Sequence, residues 1–262
     1  MEQIAPLRPL PNLVFRVLIL GRANAGKTSI LQRVCETTES PEIYRRVGSR
    51  FFGRREEKVQ LNPTSQRGHH TITDEYIFAN HRGYVFHDSR GFEGGDTKQW
   101  EEVQEFIRDR SRRAKLSERL HAIWFCVPMD QHQRACLDIE TFDKICPDKN
   151  VPVIVLFTKY EAFKSNMQFN LEDAAEEKGA VIAENIEELT QRKCHNFFET
   201  QCLSKIGSAP YVQLEEMHKI NQKCQELVDA TMIALNPAVI SLMLLAVQQG
   251  NVELSIRLVV QR

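Results

Sequence analysis

Residues Val14 to Leu20 are apolar in all but Arg16, and Gly21 stops the run at once. So short an apolar stretch reads as a strand covered on both faces rather than as a helix. The next residues narrow the fold further. Gly21-Arg22-Ala23-Asn24-Ala25-Gly26-Lys27-Thr28 leads into residues 27–36, where Ile30, Leu31 and Val34 mark one face of a helix. A strand that turns through glycines into a helix gathers backbone N–H groups and the positive helix end around one point. That arrangement cradles phosphate oxygens. Gly21, Asn24, Ala25, Gly26, Lys27, Thr28 and Ser29 then form the phosphate-binding loop. Lys27 would reach the β- and γ-phosphates, and the Thr28 hydroxyl would ligate Mg²⁺.

Two further strand ends carry chemistry. Tyr84-Val85-Phe86-His87-Asp88 runs into Asp88-Ser89-Arg90-Gly91. An acid at that position can hold a Mg²⁺ bound to Thr28 through water, and the Gly91 N–H can meet a γ-phosphate. The apolar run Val151–Phe157 ends in Thr158-Lys159-Tyr160-Glu161, a polar cluster suited to the base of a nucleotide.

In order and spacing these motifs resemble the TRAFAC class of P-loop GTPases, over residues 14–235. The nearest likeness is to fungal single-G-domain proteins. They share the stretch Phe86-His87-Asp88-Ser89-Arg90-Gly91-Phe92-Glu93 and an element matching Arg67-Gly68-His69-His70 before the second strand. The resemblance implies a G domain that binds GTP and GDP, hydrolyses GTP slowly with Mg²⁺, and orders its switch segments on the γ-phosphate. It also implies that Thr158, Lys159 and Glu161 read the base, the lysine stem stacking on guanine and the carboxylate accepting from it. The family has Asp where this chain has Glu161, one methylene longer. One Mg²⁺-binding threonine is implied before the second strand; Thr71 is favoured, Thr73 and Thr64 are alternatives, and Lys27 with Thr71 would then serve hydrolysis.

Other positions depart from the family. Ras-like relatives place a water-orienting Gln where this chain has Phe92, an apolar residue that cannot position water; Arg90, Glu93, His69 and His70 are the substitutes within reach of the motif. Asn24 is similar to the residue that binds K⁺ in potassium-dependent relatives, which makes K⁺ a second candidate cofactor. The guanine-flanking motif after the last strand reads Glu215-Glu216-Met217, whereas Ser208-Ala209 matches in letters but precedes that strand. A slow GTPase switch and a nucleotide-binding scaffold without turnover both remain open. A P-loop ATPase or small-molecule kinase is disfavoured, since it would have no use for Thr158-Lys159.

Along the chain, a proline-marked lead (residues 1–13) precedes alternating strands and helices. Strands are predicted at 75–79, 84–88, 120–127, 151–157 and 211–214; helices at 99–115, 134–146, 171–198 and 215–235. Such alternation means an α/β fold, a mixed and mostly parallel sheet flanked by helices. Residues 37–70 read as one long polar loop holding Arg45, Arg46, Arg50, Arg54, Arg55 and Lys58, the expected switch segment. Residues 236–262 read as a helical C-terminal extension, Ala238–Val247 and Val252–Val260, packed on the domain or offered to a partner or membrane surface.

With 34 Lys+Arg against 35 Asp+Glu, the net charge of -1 argues against a nucleic-acid partner. The seven cysteines include no CxxC pair and read as buried hydrophobes in a reducing, cytoplasmic setting. Histidines 81, 87, 121, 132, 195 and 218 lack metal-ligand spacing, and Trp100 and Trp124 read as packing residues. An effector protein and a second copy of the chain are the macromolecular partners implied by the resemblance.

Overall fold

The computed structural model describes residues 14–47, 55–58, 71–89, 97–145, 151–177 and 185–248. Strands β1 (Phe15–Gly21), β2 (Glu42–Val47), β3 (Arg55–Lys58), β4 (Glu75–Ile77), β5 (Tyr84–Asp88), β6 (Ala122–Pro128), β7 (Val153–Thr158) and β8 (Tyr211–Leu214) form one sheet in the order β3-β2-β4-β5-β1-β6-β7-β8. From β5 to β8 the strands are parallel; β4, β2 and β3 run antiparallel at the other end. The protein is therefore α/β with a mostly parallel sheet. Every residue of β1 and β6 is buried, as strands covered on both faces must be.

The helices are α1 (Lys27–Val34), α2 (Thr97–Ser111), α3 (His132–Ile139), α4 (Tyr160–Glu177), α5 (Ile186–Phe197), α6 (Ser204–Ile206), α7 (Gln225–Ala234) and α8 (Pro237–Gln248). Alternation along β1 sorts the core into two layers. Phe15, Val17 and Ile19 face α1, α7 and α8 through Ile30, Leu227, Val239 and Met243. Leu18 and Leu20 face α2, α3, α4 and α5 through Phe106, Ile139, Phe163 and Cys194. Trp124 is a packing residue, 0% exposed, and its Nε1–H donates to Thr231 Oγ1 of α7 at 3.1 Å. No helix among the described residues is long and apolar enough to cross a membrane.

Several element boundaries differ from expectation. The polar stretch 37–70 is not one loop, because β2 and β3 lie within it as an antiparallel pair at the sheet edge. Their register sets Arg45 opposite Glu57 and Arg46 opposite Glu56, and this charged sequence lacks the apolar alternation that would have signalled strands. The single helix expected at 171–198 is two, α4 starting directly after Lys159 and α5 at Ile186. Residues 215–224 are non-helical; Glu216 has a left-handed backbone (φ 53) that ends regular structure before α7. The α3 helix begins at His132 and stops at Ile139, short of 146. Residues 252–260 lie outside the described residues.

Arg16 is the one charge within β1. It is buried and ion-paired, its Nη1 2.9 Å from Glu75 Oε1, and its Nε donates to Ser117 O at 2.7 Å. Its backbone N–H donates to Nδ1 of buried His121 (2.8 Å), whose Nε2–H donates to Leu116 O (2.9 Å). These contacts require the neutral imidazole. Burial, helped by the Arg16 and Arg119 charges and opposed by the Leu116 hydrogen bond, pushes the His121 pKa down to about 4. The unfolded chain thus binds this proton more readily, and stability rises with pH between the two values. The contribution is present above about 6.5 and is lost as pH falls toward about 4, up to roughly 3 kcal/mol. Urea titrations at several pH values check this: His121→Asn should be less stable at pH 7 yet lose less on acidification, and parallel profiles would assign the loss to other groups.

Candidate functional site

The C-terminal ends of the parallel strands form one rim. Sheet register sets Ile19 beside Asp88, Gly21 beside Cys126, Pro128 beside Thr158, and Thr158 beside Leu214. Strand β1 is flanked by β5 on one side and β6 on the other, and ligands bind at such switch points in open α/β sheets.

Backbone geometry builds the loop after β1. Gly21 (φ +149) passes so close to β6 that a Cβ would lie 2.8 Å from Cys126 O and 2.9 Å from Cys126 Cβ. Asn24 (φ 61) and Gly26 (φ 81) are left-handed, and Gly26 caps α1 without a side-chain hydrogen bond. The helix N-terminus therefore opens on the cleft. Lys27 folds back over the loop, its Nζ donating to Gly21 O (2.9 Å) and Arg22 O (3.1 Å). The same nitrogen is 3.8 Å from Asp88 Oδ1, a buried atom with no hydrogen-bond partner. Burial pushes the Asp88 carboxyl up to about 6, against the pull of Lys27.

The end of β7 closes the opposite wall. Thr158 Oγ1 donates to Ala25 O at 2.9 Å, tying this strand to the loop. Lys159 has a left-handed backbone (φ 55), and its Nζ pairs with Asp130 Oδ2 at 2.7 Å. Glu161, in the first turn of α4, accepts the Glu216 N–H at Oε2 (3.0 Å). Together these groups enclose a cleft of about 420 Å³, lined by residues 24–30, Asp88, Thr158, Lys159, Glu161, Met217 and His218.

Of the expected site residues, Asn24, Ala25, Gly26, Lys27, Thr28, Ser29, Asp88, Thr158, Lys159 and Glu161 all line this cleft, and Gly21 shapes it. Thr71 does not. Its hydroxyl donates to Asp74 Oδ1 (2.9 Å), its N–H donates to Asp74 Oδ2 (3.1 Å), and it lines a separate cavity beside α2. Arg45, expected on a solvated loop, makes paired hydrogen bonds to the same Asp74 (2.8 and 2.7 Å). Gly91, Arg90, Phe92, Glu93, Thr64, His69 and His70 lie outside the described residues.

His218, read as an ordinary residue, lines the cleft, as does Met217. Asp130 and Arg22 also escape sequence reading: Asp130 belongs to no motif, and Arg22 is a variable position of one. The donors fit Mg²⁺, since Thr28 and Asp88 offer a hydroxyl and a carboxylate oxygen, and the Asp88 oxygen lacks a partner. Among the described residues there is no cluster of three or more His, Cys, Asp or Glu that would make an all-protein metal cage. Asn24 stands in the same cleft, where the K⁺ expectation places it. No family model matches the chain, and no curated protein matches it in sequence.

Proposed function

We propose that the protein is a G domain that binds GTP and GDP with Mg²⁺, hydrolyses GTP slowly, and acts as a nucleotide-dependent switch. One observation carries the reading: segments far apart in the chain, residues 24–29, Asp88 and Thr158–Glu161, converge on a single cleft at the sheet's switch point. Left-handed loop residues and an uncapped helix start are what a phosphate chain needs, and a lysine and a carboxylate beyond them suit a purine base.

Within that reading, contacts assign the roles of Lys27, Asp88 and Glu161, and position in the cleft those of Thr28 and Asn24. An incoming phosphate replaces the Gly21 and Arg22 carbonyls as acceptor for Lys27 and draws the lysine from Asp88. Mg²⁺, held by Thr28 and Asp88, would neutralise charge between the β- and γ-phosphates. Glu161 turns its second oxygen to guanine while the first holds Glu216. Asn24 would hold K⁺ beside the phosphates. For hydrolysis Thr71 must leave Asp74, so the Arg45–Asp74–Thr71 cluster opposes turnover until the γ-phosphate and its Mg²⁺ draw the threonine away. Effector and second-copy contacts would then report on the released segment.

A second reading, a nucleotide-binding scaffold without turnover, is favoured by a particular observation: the Thr71 hydroxyl is committed to Asp74 and stands outside the cleft. Single-turnover hydrolysis separates the two, since phosphate release that vanishes in Lys27→Ala marks an enzyme.

Identification of nucleotide in gently purified protein is the first test. GTP or GDP is expected; ATP, or no nucleotide, would sink the proposal. Lys27→Ala should lower affinity for GTP at least tenfold, roughly the worth of a charge-assisted contact to phosphate, with the urea midpoint retained. Glu161→Ala should weaken GTP about ten- to a hundredfold and leave ATP unchanged, as loss of a hydrogen bond to a charged acceptor implies. Equal losses for both nucleotides would show that Glu161 does not read the base.

A further inference from the structure

The two halves of the cleft are joined by a line of charges that runs through Asp130 and Asp138, which belong to no motif. Asp130 sits in the tight turn Met129–Gln131 after β6, and the Asn166 Nδ2 of α4 donates to its backbone carbonyl at 2.9 Å. One carboxylate oxygen takes the Lys159 ammonium at 2.7 Å; the other lies 3.5 Å from Arg22 Nη2. Arg22 belongs to the phosphate loop, is 7% exposed, donates to Pro128 O at 3.2 Å and lies 3.5 Å from Asp138 Oδ2 of α3. The series Asp138–Arg22–Asp130–Lys159 thus runs from the back of the phosphate loop to the base wall.

Lysine carries a long flexible stem, and Lys159 leaves a strand end in a strained left-handed backbone. Without a fixed anion its ammonium would sample many positions. Asp130 supplies that anion from a turn pinned by α4, and the Arg22 contact sets where the carboxylate points. Asp130 Oδ1 is buried without a hydrogen bond, so the charge of Arg22 is what holds it in place.

We propose that Asp130 is a positioning residue for base recognition: by bridging Arg22 of the phosphate loop and Lys159 of the base wall, it holds the lysine stem where a purine stacks. The inference rests on the nucleotide-site reading. It implies that affinity for the purine, and not for the phosphates, depends on Asp130.

The experiment compares GTP, ATP and inorganic tripolyphosphate by calorimetric titration on the full chain. In Asp130→Asn both purine nucleotides should weaken roughly tenfold while tripolyphosphate affinity holds, as loss of an orienting charge pair implies. Asp138→Asn removes an equal charge beside Arg22 without touching Lys159 and should keep the purine affinity. In a Lys159→Ala background Asp130→Asn should change GTP affinity relative to tripolyphosphate no further, the non-additivity of residues acting through one another. Asp130→Ser, shorter and uncharged, serves if the Asn variant does not fold. Unchanged nucleotide affinity in Asp130→Asn, or equal weakening of all three ligands, overturns the inference alone. A wild type that binds none of the three, or binds GTP no better than tripolyphosphate, overturns the nucleotide-site reading and the inference with it.

Discussion

The site depends on how closely the end of β1 approaches β6. At Gly21 a side chain would collide with the Cys126 carbonyl, a backbone atom of a strand paired on both sides. Absence of a Cβ therefore lets β1 stay paired to its last residue and still turn into the loop. That turn makes possible the left-handed Asn24 and Gly26, the start of α1 facing the cleft, and Lys27 lying across its own loop. A residue with a side chain at 21 would force either the strand or the loop to shift, and the cleft keeps its wall only if both hold.

Strands β1, β6 and β7 were legible because burial on both faces leaves continuous apolar runs. Their ends were legible for a related reason, since a polar residue straight after such a run has few places to be other than the sheet rim. The β2–β3 edge was not. A strand pair at a sheet edge need bury little, and the charged run at Arg45 and Arg46, in register with Glu57 and Glu56, carries no apolar alternation to read. The α4–α5 division hid in a long acid-rich stretch whose helical periodicity is weak on its exposed faces. Within the site, the groups that touch a ligand through a fixed motif could be read, whereas Asp130, Met217 and His218 reach the cleft through turns whose path only the assembled sheet determines.

Charged residues inside the layers obey a consistent rule. Arg16, Glu75 and Arg110 cluster under the β4–β5 junction, with Glu75 Oε1 2.9 Å from Arg16 and 3.6 Å from Arg110. His87 completes the group: its Nε2 is 3.4 Å from Arg16 and its Nδ1 is 3.0 Å from Asp74 O. Burial and the two arginines hold the His87 pKa well below the ordinary histidine value, so the ring is neutral and its Nδ1–H can serve that carbonyl. Isolated, any of these charges would be costly to bury; paired, they fix the 71–74 segment against the sheet. The neighbour of Asp88 in sequence is thereby tied to the segment that carries Thr71.

The same pairing governs the cleft. Lys27 faces Asp88, Lys159 faces Asp130, and Arg22 faces Asp130 and Asp138, so each of these cations already has an anion. Among the described residues of the cleft an anionic ligand meets no surplus of lysine or arginine charge, and a loose surface attraction cannot be what holds it. In the nucleotide-site proposal, binding therefore comes from directed groups, namely backbone N–H groups of the loop and helix start together with a lysine that exchanges one partner for another. Such exchange is selective: a ligand must offer oxygens in place of Gly21 O and Arg22 O, which now accept from Lys27, and must give the unpartnered Asp88 oxygen a partner. A phosphate chain carrying a divalent cation meets both conditions at once, whereas a lone carboxylate or sulfate meets the first and strands Asp88.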